Sequence, residues 1–76
     1  PPARADAVGF GTRVTIERED GRRQVFAIVG EDEADPPQGL IAYVSPLARA
    51  LMGKGVGDTA DVPGGEVEIL QIAPLS

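Results

Sequence analysis

Four carboxylates fall within five positions, at Glu31, Asp32, Glu33 and Asp35, the densest group of oxygen donors in the chain. Such a group could hold calcium or magnesium, which prefer hard oxygen ligands. The spacing does not fit, because an EF-hand loop carries acidic or amide residues at positions 1, 3 and 5 and a Glu at 12. A solvated acidic loop is the better reading, and no metal ligand is assigned. Two glycine patterns invite a phosphate reading and fail it. Gly9-Phe10-Gly11 precedes a strand instead of opening a helix, and in Gly53-Lys54-Gly55-Val56-Gly57-Asp58 no Lys-Ser or Lys-Thr pair follows a G-x-x-x-x-G. The chain has neither His nor Cys, which removes histidine acid–base chemistry, zinc sites and disulfides from it. No catalytic residue and no cofactor site is assigned.

What remains is a corner at Ser45-Pro46. Ser45 stands where a helix N-cap belongs, its hydroxyl placed to accept an otherwise unpaired N–H of the first turn. Pro46 follows at the first helical position, where its fixed φ suits the helix and its missing N–H costs nothing. Leu47, Ala50 and Leu51 share one face at i, i+3 and i+4, while Arg49 points roughly the opposite way, as a solvated charge or a contact residue. Gly53 is the expected residue just beyond the helix end, where the left-handed conformation is wanted. Two turns of helix are not stable alone, so this one must dock on a sheet.

The sheet is legible from alternation. Val14 and Ile16 face one way and Arg13, Thr15 and Glu17 the other, a half-exposed strand. Glu19-Asp20-Gly21 reads as a hairpin turn in which Asp-Gly accepts positive φ. The returning strand, residues 23–29, is apolar on both faces and is expected to be covered on both, which implies a strongly bent sheet. Residues 30–39 form a loop whose prolines exclude a regular strand. A third strand spans 40–44, a fourth 59–62 and a fifth 66–73. In the fifth the inward parity changes from Val67 and Ile69 to Leu70 and Ile72, so a bulge or sharp twist is expected near Ile69-Leu70. The fold class is α+β, a strongly bent antiparallel sheet of about five strands with one short helix. Leu47, Leu51, Val14, Ile16, Val25 and Ile28 are expected to be buried.

Seventy-six residues make one domain with a small core, and 42% hydrophobic content supports a packed globule. Phe10, Phe26 and Tyr43 are its only aromatics, so the core is mostly aliphatic. The net charge of −5 opposes a phosphate backbone and suits either simple solubility or a basic protein partner. No apolar run approaches the ~20 residues of a membrane span, and no signal peptide is visible. Residues 1–7 read as a linker and 8–76 as the domain. The chain opens Pro-Pro without a Met and is expected to belong to a longer protein.

The motifs V-G-F-G-T-R-V-T-I-E, I-V-G-E-D-E-A-D, G-L-I-A-Y-V-S-P-L-A-R-A-L-M-G-K-G-V-G-D and P-G-G-E-V-E-I-L-Q-I follow one another in order. Together they closely resemble the C-terminal domain of the Gre-type bacterial transcription elongation factors, across residues 7–72. The resemblance implies an FKBP-like fold, a cytoplasmic setting and a partner, bacterial RNA polymerase. In that family the C-terminal domain grips a coiled-coil rim of the largest subunit near the secondary channel. An N-terminal coiled-coil hairpin, to which nothing in this chain corresponds, carries the acids that hold a catalytic magnesium for transcript cleavage. That role therefore does not pass to Glu31–Asp35, and the chain is not expected to be an enzyme. The family's polymerase contact falls on Val44, Ser45 and Pro46, with Arg49 a further candidate. Relatives often carry a polar or acidic residue where this chain has Val44. No direct nucleic-acid contact and no membrane contact are implied for this domain, although DNA binding is commonly ascribed to the family as a whole.

Two other readings were weighed. A Gre-like protein that occupies the channel without cleaving RNA would share this domain. An FKBP-like fold could also mean peptidyl-prolyl isomerase activity, which relies on an apolar aromatic pocket. With three aromatics, and Phe26 needed for the core, that pocket is hard to assemble.

Overall fold

Alternation of Val14 and Ile16 with charged and polar neighbours puts β1 (Thr12–Arg18) at the middle of the sheet, and both side chains are fully buried there. The computed structural model describes residues 7–75; of the expected linker, all but Ala7 lies outside them. β1 pairs antiparallel with β2 (Arg23–Val29) on one side and with β5 (Gly65–Pro74) on the other. β3 (Leu40–Ala42) extends the sheet beyond β2, and β4 (Thr59–Val62) extends it beyond β5, giving the order β3-β2-β1-β5-β4. One helix, α1 (Pro46–Leu51), packs against β3 and β4, the two outermost strands. A helix can touch both edges only if the sheet bends around it, as the doubly apolar β2 implied.

The expected bulge is present. Thr15 pairs with Gln71 and Ile16 with Ile69, so Leu70 has no partner of its own across the ladder. The extra residue resets the side-chain parity, and Val67, Ile69 and Ile72 all reach the core.

Four expectations need correction. First, β3 ends at Ala42 and runs parallel to β2, so the sheet is mixed. Residues 30–39 are two single 3₁₀ turns (Glu31–Glu33 and Pro36–Gln38) that carry the chain back to start β3 in the same direction as β2. Tyr43 still donates its N–H to the Val29 carbonyl at 2.9 Å, but Ser45 N–H then bonds Ala42 O, which turns Tyr43 and Val44 out of the strand. Second, Val25 is 51% exposed. β3 pairs with Ala27, Ile28 and Val29 only, so the double cover stops short of Val25. Third, the apolar stripe of α1 is centred on Ala48 and Leu51, both fully buried, with Leu47 and Ala50 only partly so. The small Ala48 lets the helix backbone approach the sheet. Fourth, the β1–β2 connection is the four residues Glu19–Arg22, in which only Gly21, at φ +90°, takes positive φ. Asp20 instead accepts the Arg22 N–H on Oδ1 at 3.0 Å.

The G-x-x-x-G-D segment is architectural. Gly53, at φ +81°, leaves the helix in the left-handed conformation, and its N–H goes to Val8 O while Lys54 O accepts the Val8 N–H. Asp58 Oδ2 accepts the Gly55 N–H at 2.8 Å, closing the loop before β4. Buried Val8 is thereby stitched beside the helix end. Among the described residues no helix is long and apolar enough to cross a membrane.

Candidate functional site

The helix-start corner is built as its sequence dictates. Ser45 has extended backbone (φ −69°, ψ 154°), and its Oγ accepts the Ala48 N–H at 3.2 Å. Pro46 occupies the first helical position and is exposed, as are Val44 and Arg49; Ser45 is half-buried by its capping role. The four residues therefore surround one end and one outer side of α1, with Val44 42% exposed. Nothing here is a nucleophile or a base. The corner offers shape: a rigid turn, a proline ring and an aliphatic side chain, with a cation one turn further along. Ser45→Ala removes the cap, and the expected loss is about 1 kcal/mol, read as a lower denaturant midpoint at unchanged slope.

Sequence reasoning missed a second feature. Phe10 and Tyr43 meet on the surface edge to face, with ring centroids 5.6 Å apart and planes at 86°. With Gly30, Glu31 and Asp32 they line an open cleft of about 620 Å³. Two of the three aromatics thus meet at the surface, while Phe26 packs against the core. The carboxylates in the lining nevertheless distinguish this cleft from the apolar pocket a proline ring requires. A usable signal was present: Phe10 is an aromatic residue between two glycines, outside any alternating run.

The acids of the 3₁₀ turn Glu31–Glu33 are exposed, and among the described residues no three potential ligands converge. Titration calorimetry with magnesium or calcium should give no stoichiometric micromolar binding; such a signal would overturn the reading of the loop as solvated. A second acidic surface lies on the outer side of the sheet. Glu17 faces Glu68 across β1 and β5, and Asp61 faces Glu66 across β4 and β5. Like charges directly opposite one another weaken a sheet, and the exposed Arg23 guanidinium, 3.5 Å from Glu17, offsets little of this.

Comparison with known proteins decides the family. Residues 3–74 match the model for "Transcription elongation factor, GreA/GreB, C-term". This chain belongs to that family. The GreA/GreB-type domain is 51% identical over 73 residues to transcription elongation factor GreA of Alkalilimnicola ehrlichii, covering 88% of this chain and 46% of that protein. It is 53% identical over 68 residues to GreA of Neisseria meningitidis serogroup B, covering 83% of this chain and 43% of that one. The chain thus spans about half the length of the relatives it matches. Among solved structures, GreA factor homolog 1 (Gfh1) of Thermus thermophilus superposes with a TM-score of 0.80 at 29% identity, over 90% of this chain and 49% of that one. The GreA/GreB factor of Nitrosomonas europaea gives 0.76 at 22% identity, over 93% of this chain and 64% of that one, and speaks for the fold alone. The bent sheet with one short helix is therefore the Gre-type C-terminal fold, as the motif resemblance implied.

Proposed function

We propose that this domain is the polymerase-docking half of a Gre-type factor, preceded by a linker at residues 1–7. It seats on the coiled-coil rim of the largest subunit of bacterial RNA polymerase, near the secondary channel, in the cytoplasm. Val44, Ser45 and Pro46 form the contact, and Arg49 flanks it. The observation that carries this reading is the match of residues 3–74 to the GreA/GreB C-terminal family, with the corner where the family motif puts the contact left exposed at Pro46. A surface so poor in functional groups can recognise a partner only through close fit, and a cap fixes its shape before contact. The opposed carboxylates of β1, β4 and β5 support a basic partner, whose approach would relieve their mutual repulsion. Cleavage of backtracked RNA, or obstruction of the channel without cleavage, depends on the coiled-coil half of such factors; this domain supplies the anchor and no catalytic group. Identity of about one half to proteins named as elongation factors favours the cleavage-factor reading.

Biolayer interferometry with the immobilised chain tests the anchor. Core bacterial RNA polymerase and the isolated rim coiled coil should each bind saturably and more weakly as salt rises. Failure of both to bind would overturn the assignment.

A further inference from the structure

The Phe10–Tyr43 cleft stands apart from the corner's small residues and has a chemistry of its own. Phe10 is 63% exposed and Tyr43 42%, while the third aromatic, Phe26, packs against the core. In an edge-to-face pair the ring offering its edge keeps both faces free of its partner, and those faces carry the negative side of the ring quadrupole. Glu31 and Asp32 add two carboxylates to the same lining. The ion pairs seen among the described residues, Arg22 with Asp20 and Arg23 with Glu17, leave both of these acids out.

The walls are held by one strand end. Tyr43 N–H bonds Val29 O, Gly11 N–H bonds Ile28 O, and Glu33 N–H bonds Gly30 O at 3.0 Å, so all three segments hang from the last residues of β2 or just beyond it. The backbone that carries the cleft is thus fixed before binding.

Aromatic faces beside carboxylates select a cation with a flat, weakly hydrated head. Arginine fits both parts, stacking on a ring while its fork reaches a carboxylate; a lysine ammonium is a compact, strongly hydrated charge that gains less from the ring. A phosphate-bearing ligand would meet two carboxylates and a chain of net charge −5. We propose that this cleft receives an arginine side chain of a protein partner. Tyr43 leads directly into Val44, Ser45 and Pro46, so the partner is the one docked at that corner. The identity of the partner rests on the docking reading above; the arginine chemistry of the cleft does not.

Two measurements separate these claims. In the first, the ¹⁵N-labelled chain is titrated with the blocked amides of N-acetyl-arginine, N-acetyl-lysine and N-acetyl-proline. Arginine amide should give saturating shifts at Phe10, Gly30, Glu31, Asp32 and Tyr43, with a Kd in the millimolar range and several-fold weaker binding for lysine. Tyr43→Ala and the double variant Glu31→Gln/Asp32→Asn should each abolish those shifts while both remain folded with dispersed amide spectra, the double variant at an unchanged melting point since both acids are exposed. Absence of these shifts, or a stronger response to proline amide, overturns the proposal. In the second, the same variants are measured against RNA polymerase, where roughly five- to tenfold weaker binding is expected. Unaltered polymerase binding by variants that have lost arginine amide would overturn the partner assignment and leave both the corner and the docking reading to their own test.

Discussion

Leu51→Ala is expected to lower the unfolding free energy by about 2–5 kcal/mol, the range for emptying a fully buried leucine site. Leu51 has no exposed surface and is among the largest fully buried side chains of the domain. It sits in the last turn of a helix of six residues, too short to persist without its tertiary contacts. At the usual per-residue stability, a chain of 76 residues holds roughly 4–11 kcal/mol in total, so the substitution removes a large part of it. Collapse around the vacancy is limited because Ala48, the neighbouring buried residue on α1, has only a methyl group and no torsion that could swing it into the space. Val25→Ala is the matched control. Half-exposed at the uncovered end of β2, it should shift the denaturant midpoint only slightly. Equal effects from the two substitutions would contradict the packing described here.

Features set by neighbours in the chain were legible in the sequence. The Ser45 cap, the proline after it and the glycine beyond the helix end obey rules of a few residues' range, and each appears where spacing put it. So does the bulge at Leu70, because a parity change inside one strand leaves no other way to keep Val67, Ile69 and Ile72 in a single core. Features set by distant pairing were not legible. Val25 satisfies the alternation of a buried position, yet its exposure depends on how far along β2 the short β3 reaches. The direction of β3 depends on where two 3₁₀ turns release the chain. Asp20-Gly21 has the composition of a two-residue turn, but a four-residue connection lets the aspartate keep ordinary backbone geometry and bond Arg22 instead.

The candidate site divides in the same way. Val44, Ser45, Pro46 and Arg49 are consecutive or nearly so, and the helix they open fixes their relation. Phe10 and Tyr43 stand 33 positions apart and meet only because β2 receives both adjoining segments, a juxtaposition that no local rule encodes. Family motifs carried the docking assignment further than any physical property of the corner did, since capping alone accounts for Ser45 and Pro46.

The central claim is that Pro46 lies in the polymerase contact, and Pro46→Glu tests it most directly. Glutamate suits the first turn of a helix, where its charge complements the dipole, and Pro46 is exposed, so folding should survive. Against a partner the same carboxylate would be desolvated without a counter-charge, at an expected penalty of about 2–5 kcal/mol, or about 30-fold or more in affinity. The measurement is interferometry of wild type and Pro46→Glu against the isolated rim coiled coil, with thermal melts of both chains. The docking account predicts lost binding at an unchanged melting point; equal binding by the two proteins would contradict it.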